Sequence, residues 1–173
     1  MLRGCRRVCG SIALLLVGIV LGIFVGHPTI SLMNERSTVN NLVDQADSIE
    51  LVHFNHDLKD VDLTYSTKKL APSEYGDVRK AFPLSLDSKP PGWVDFCGFD
   101  PHHKIIITYR DGKTSVISFC FLCDAWQIDD GPVLWTPYAW RQPLRDFFAR
   151  KGMPEKSLDT YLHDSQKARD ASH

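Results

Sequence analysis

Three cysteines and two histidines fall within FCGFDPHHKIIITYRDGKTSVISFCFLCDAW, residues 96–126, and residues of these types support three kinds of chemistry. Cys97, His103, Cys120 and Cys123 would supply three thiolates and an imidazole, an accepted ligand set for a closed structural zinc site. A disulfide from Cys97 to Cys120 or Cys123 would instead tie the approach to this region onto its far end. Cys120 and Cys123 by themselves, spaced C-x-x-C after a strand, would make an exchanging redox pair.

Each reading meets an objection in the residues. Zinc knuckles turn on glycine or proline, whereas Phe121 and Leu122 favour a continuing strand that would send the two sulfurs to opposite faces. A disulfide among three cysteines leaves one thiol over. Redox pairs of this type open a helix, but Asp124 to Pro132 has no helical periodicity. A structural role as disulfide or buried thiols comes first, zinc second and redox exchange third, and the three stay open.

The element that must position these groups is a β-hairpin. HKIIITYR and KTSVISF flank Asp111-Gly112, a pair that suits a two-residue turn with positive φ. With that turn Arg110 faces Lys113, Ile107 faces Val116, Ile105 faces Ser118 and His103 faces Cys120. Around the hairpin, 31–48 reads as a linker with a weak helix, IELVHF at 49–54 and VDLTY at 61–65 as strands, and DAWQID as a further strand after a bend. APSEYGDVRKAF reads as a helix capped by Ser73, and QPLRDFFARKGMP as an amphipathic helix with Pro143 in its first turn and Gly152 as its stop. Residues 155–173 are polar enough to fray after a turn or two. His53 and His56 read as surface residues. Trp93, Trp126, Trp135 and Trp140, with Tyr138, fit a core better than a groove.

The amino-terminal part has a different task. No charged residue lies between Arg7 and Glu35, and residues 8–30 are long and apolar enough to span a bilayer. Arg3, Arg6 and Arg7 on one side place the amino terminus in the cytoplasm and the body outside, as a signal-anchor in the inner (cytoplasmic) membrane. A cleaved export signal is the rival reading, but no A-x-A-like site follows the apolar run. Gly18, Gly22 and Gly26 share one helix face and would allow a homodimer through close helix approach. Every acidic residue lies beyond the apolar run, so the body is acidic and has no electrostatic footprint for nucleic acid.

The run C-x-F-x-P-x-H, Cys97-Gly98-Phe99-Asp100-Pro101-His102-His103, followed after the hairpin by C-F-x-C at Cys120–Cys123, resembles a group of small uncharacterised bacterial envelope proteins. That resemblance covers residues 94–154 and implies an anchored cell-envelope location and a small mixed fold; no activity comes with it.

The expected organisation is a cytoplasmic stub (1–7), a transmembrane helix (8–30), a linker (31–48), an extracytoplasmic α+β domain (49–154) and a polar tail (155–173). The domain is an antiparallel sheet centred on the hairpin with covering helices. Its expected role is non-enzymatic: binding an envelope protein or surface component, or structural support. The alternative is a zinc-binding or thiol-redox module using Cys97, His103, Cys120 and Cys123.

Overall fold

The computed structural model describes residues 35–56, 62–84 and 99–171. It is an α+β fold with one six-stranded antiparallel sheet and four α-helices among these residues. Helix α1 spans 35–44, and strands β1 (Ala46–His56) and β2 (Asp62–Lys69) follow. A 3-10 turn at Pro72–Glu74 leads into α2 (Tyr75–Lys80). Strands β3 (His103–Tyr109), β4 (Thr114–Cys120), β5 (Ala125–Ile128) and β6 (Leu134–Trp135) precede α3 (Tyr138–Arg150) and α4 (Leu158–Ala171). The strand order is β2-β1-β3-β4-β5-β6.

Alternation along β1 and β3 puts Ile49, Leu51 and His53 on one face, opposite Ile107, Ile105 and His103. Val39 and Val43 of α1, Val78 of α2 and Trp140, Leu144, Phe147 and Phe148 of α3 join that face in a single buried cluster. One to four side chains from each of α1, α2 and α3 therefore meet a sheet that is apolar on the same side.

The hairpin differs from expectation by one residue. Thr108 pairs with Thr114, Ile105 with Ile117 and His103 with Phe119, not Cys120. The Tyr109 and Gly112 amides donate to the Lys113 and Tyr109 carbonyls, both at 2.9 Å, and Gly112 has φ +83°. This is a three-residue loop with the glycine in the left-handed position, which Asp-Gly serves as well as it serves a two-residue turn. Burial decides between the two registers. The expected one would turn Ser118 and Cys120 inward beside Ile105 and His103, whereas the observed one turns in Ile117 and Phe119, both fully buried. Cys120 consequently leaves the helix-covered face and packs with Cys123, Ala125 and Phe99 in a separate small cluster.

Further differences have equally local causes. Glu74, not Ser73, caps the turn before α2, its carboxylate accepting the Ala71 amide at 2.8 Å. Helix α3 starts five residues before Pro143, so the proline lies inside it. At its other end the Gly152 amide donates to Ala149 O at 3.0 Å and the Met153 amide to Phe148 O at 2.9 Å, with Gly152 at φ +84°. That double closure is a Schellman ending, and it turns Met153 back into the core. The expected frayed tail is the fourteen-residue helix α4, held by side chains described below. The apolar segment 8–30 lies outside the described residues, and among those described no helix is long and apolar enough to cross a membrane.

Replacing Gly152 by alanine meets no steric neighbour but forces a Cβ into the left-handed region. The expected loss is about 1–2 kcal/mol, read as a lower urea midpoint at unchanged m-value.

Candidate functional site: a buried histidine and tyrosine cluster

One cross-strand row runs through the sheet centre: Ser66, His53, His103, Phe119, Trp126 and Leu134 in successive strands. Alternation alone puts both histidines on the buried face, and their exposures are 4 % and 0 %. His53 is thus a core residue, contrary to the surface position expected from sequence. The imidazoles stack with centroids 4.4 Å apart and planes 8° from parallel. A β-bulge leaves Tyr65 as the extra residue in β2, and its ring closes over His53 at 4.9 Å.

Helix α4 is the lid on this row. Tyr161 stacks on His102 at 3.7 Å, and its hydroxyl lies 3.1 Å from His53 Nε2 and 3.3 Å from the Lys156 amide. An amide can only donate, so the hydroxyl oxygen accepts from Lys156. His103 Nε2 sits 3.0 Å from the Met153 carbonyl, which can only accept, so the neutral His103 ring is protonated on Nε2. The Asn55 amide, also buried, donates to the Tyr161 carbonyl at 2.8 Å and to Ser165 Oγ at 2.7 Å. At the rim, Asp164 accepts from Tyr65 at 2.7 Å and from Lys156 Nζ at 3.0 Å, and the Lys156 ammonium lies 3.4 Å from the Tyr65 ring centre. These bonds explain why a polar segment forms a stable helix: its buried face carries Tyr161 and Ser165, both bonded to β1 side chains.

Electrostatics favour neutral forms of the two stacked rings. Burial, then the Lys156 and His102 charges, lowers His53 to about 4. Burial, then the charge of His53, lowers His103 to about 3, against a smaller upward push from its bond to Met153. Tyr161 is raised to about 12, mainly by burial, so its proton stays on the hydroxyl. Tyr65 is raised too, by burial and by its bond to the Asp164 carboxylate. The arrangement is a lock: one nitrogen of each stacked imidazole is committed to a tyrosine hydroxyl or a main-chain carbonyl.

The second feature is the turn after β4. Cys120 and Cys123 form a disulfide, and the Cys123 amide donates to Cys120 Sγ at 3.2 Å. Arg145 of α3 braces this turn, donating to the Phe121 carbonyl at 2.6 Å and pairing with Glu155 at 2.9 Å and Asp124 at 3.3 Å. Arg141 adds a 2.6 Å pair to Asp124, which sits at φ +49°. The bulky Phe121 and Leu122 thus turn after all, because arginines of α3 hold the backbone that the residues themselves would extend.

Of the expected zinc set, His103 lies on the helix-covered face, Cys120 and Cys123 share a disulfide on the other, and Cys97 lies outside the described residues. Among the described residues no group of three or more His, Cys, Asp or Glu is placed to hold a metal. Trp126 and Trp140 are core as expected, whereas Trp135 and Tyr138 are exposed; Trp93 lies outside the described residues. Comparisons with protein-family models, curated proteins and solved structures find no match.

Two outcomes follow. Both histidines bind protons more weakly folded than unfolded, so their contribution is complete above the unfolded value near 6.5 and is lost as pH falls toward 4 and 3. Urea unfolding at pH 8, 6 and 5 should show stability falling below pH 6.5, by at most about 1.4 kcal/mol per pH unit for each histidine. Tyr161→Phe keeps the ring but strands His53 Nε2 and the Lys156 amide, which should cost about 1–3 kcal/mol in the same measurement.

Proposed function

We propose that the chain is a single-pass, membrane-anchored envelope protein, with its amino terminus in the cytoplasm and the α+β domain outside. Its role is non-enzymatic, binding another envelope protein or a surface component. The observation that carries the location is the Cys120–Cys123 disulfide. Disulfides persist in oxidising compartments, and the arginine-flanked apolar stretch 8–30 is the device that would deliver the domain there.

The binding role is supported by the sheet face opposite the helices. Lys104, Val116, Ser118 and Gln127 line a recess of about 630 Å³ there, with Phe99 and Pro101 at one side and Asp129 and Asp130 at another. Lys104 lies over the Phe54 ring at 3.8 Å and gives the recess a cationic wall opposite its carboxylates. In the histidine cluster, by contrast, the rings are buried and one nitrogen of each stacked imidazole is bonded within the fold.

Thiol exchange is the second reading, because the pair that would exchange is the pair that is bonded. Exchange needs a thiolate to reach a sulfur along the S–S axis, and Cys120 and Cys123 are only 0 % and 4 % exposed. A stable clasp on the β4–β5 turn fits that burial better than a turning-over redox centre. Zinc at Cys97, His103, Cys120 and Cys123 would require this disulfide to open and His103 to leave its face.

Alkylation in cells tests the location. The denatured full chain should show Cys120 and Cys123 blocked until a reductant is added, whereas a chain lacking residues 8–30 should show both free. Equal labelling of the two proteins would contradict an extracytoplasmic domain.

A further inference from the structure

The sheet face turned away from the helices has an order of its own. Pairing puts Lys104, Ser118 and Gln127 in one row across β3, β4 and β5, and Cys120, Ala125 and Trp135 in the next row across β4, β5 and β6. Neighbouring rows on one face lie two residues apart along the strands, about 7 Å. Leu134 packs against the core, so alternation turns Trp135 to the recess side, where its side chain is 51 % exposed. Phe99 links the two rows, because it packs against the Cys120, Cys123 and Ala125 cluster and also lines the recess. Val116 continues the floor, and the exposed Asp129 and Asp130 stand at its edge. Two of the polar groups are held in place: Gln127 Nε2 donates to the Gly131 carbonyl at 2.6 Å, and Asp129 Oδ1 accepts the Val116 amide at 2.7 Å.

The recess is thus polar at its floor, aromatic on one side and anionic on another. A protein interface has the reverse order, with an apolar, charge-poor centre and a polar rim. The charges narrow the ligand further. Among the described lining residues Lys104 is the cation and Asp129 and Asp130 are the anions, a balance that repels a polyanion. We propose that this face binds a neutral glycan, with one pyranose unit in the recess against Phe99 and a neighbouring unit on Trp135. A sugar ring has the matching two-sided chemistry: its C–H face stacks on an aromatic ring, and the hydroxyls at its edge donate to carboxylates and bond to an amide or a hydroxyl. The recess volume of about 630 Å³ suits a short run of sugar units, and Trp135 gives a longer chain somewhere to continue. The inference rests on the binding role proposed above and names its ligand as a surface glycan instead of a protein.

Calorimetric titration of the full chain, in a detergent without a sugar headgroup, tests this with three neutral hexasaccharides: β-1,4-linked N-acetylglucosamine, β-1,4-linked glucose and α-1,4-linked glucose. The expected result is saturable binding of at least one of them, weakened roughly tenfold in Trp135→Ala and by a smaller factor in Asp130→Asn. Both side chains are exposed, so the unfolding midpoints of the variants should match the parent. Saturation by none of the three, or affinity unchanged in both variants, overturns the glycan site. Photo-crosslinking in cells through Trp135→benzoylphenylalanine separates that failure from failure of the binding role. An adduct with a protein and none with a glycan overturns the glycan while the binding role stands; no adduct together with no titration overturns both.

Discussion

The architecture turns on a row of side chains crossing the sheet from Ser66 to Leu134, with two stacked imidazoles at its centre. Burying His53 and His103 side by side favours neutral rings, each with one nitrogen partnered, because an isolated buried charge is far more costly than a buried amide. Tyr161 and Met153 supply the partners, and both come from the chain after α3. The row therefore dictates that this chain be ordered. Gly152 turns it inward, Met153 meets His103, and Tyr161 caps His53, so the Schellman ending of α3 and the docking of α4 are consequences of one polar requirement in the sheet.

A second constraint works at the other side of the same strands. One residue of register decides which of two adjacent side chains, Phe119 or Cys120, faces the core. The apolar choice sends the sulfur outward, next to Cys123, where the arginines of α3 brace the turn that lets the two sulfurs meet. Thus α3 serves both faces: Phe147 and Phe148 fill the core, and Arg141 and Arg145 hold the disulfide turn around the sheet's end. The domain is a two-layer structure fastened by a hydrogen-bonded cluster and, beside it, by a disulfide clasp, the His103 and Phe121 rings lying 5.0 Å apart.

Much of this was legible in the sequence where hydrophobic period speaks. The hairpin, the strands of β1 and β2, the stop at Gly152 and the apolar face of α3 all follow from alternation or helical spacing. The hairpin register was not, because Asp-Gly fits two loop lengths, although comparing the side chains each length buries would have chosen correctly. His53 was misplaced on the surface even though it alternates with Ile49 and Leu51, a signal that its polarity obscured. The order of α4 had no signal in its own composition: Tyr161 and Ser165 gain their value from His53, Asn55 and His102, more than fifty residues away in the chain. The pairing of Cys120 with Cys123 depended likewise on arginines in α3 that no local pattern connects to a C-x-x-C turn.

The most direct test of the lock is to read the imidazoles themselves. Nitrogen-15 resonances of the histidine rings between pH 8 and pH 5 report both charge and tautomer. The account predicts two rings that stay neutral across this range in the folded protein, with the His103 proton on Nε2. A ring of either residue that titrates near 6.5 while the protein remains folded, or a His103 proton found on Nδ1, would contradict it.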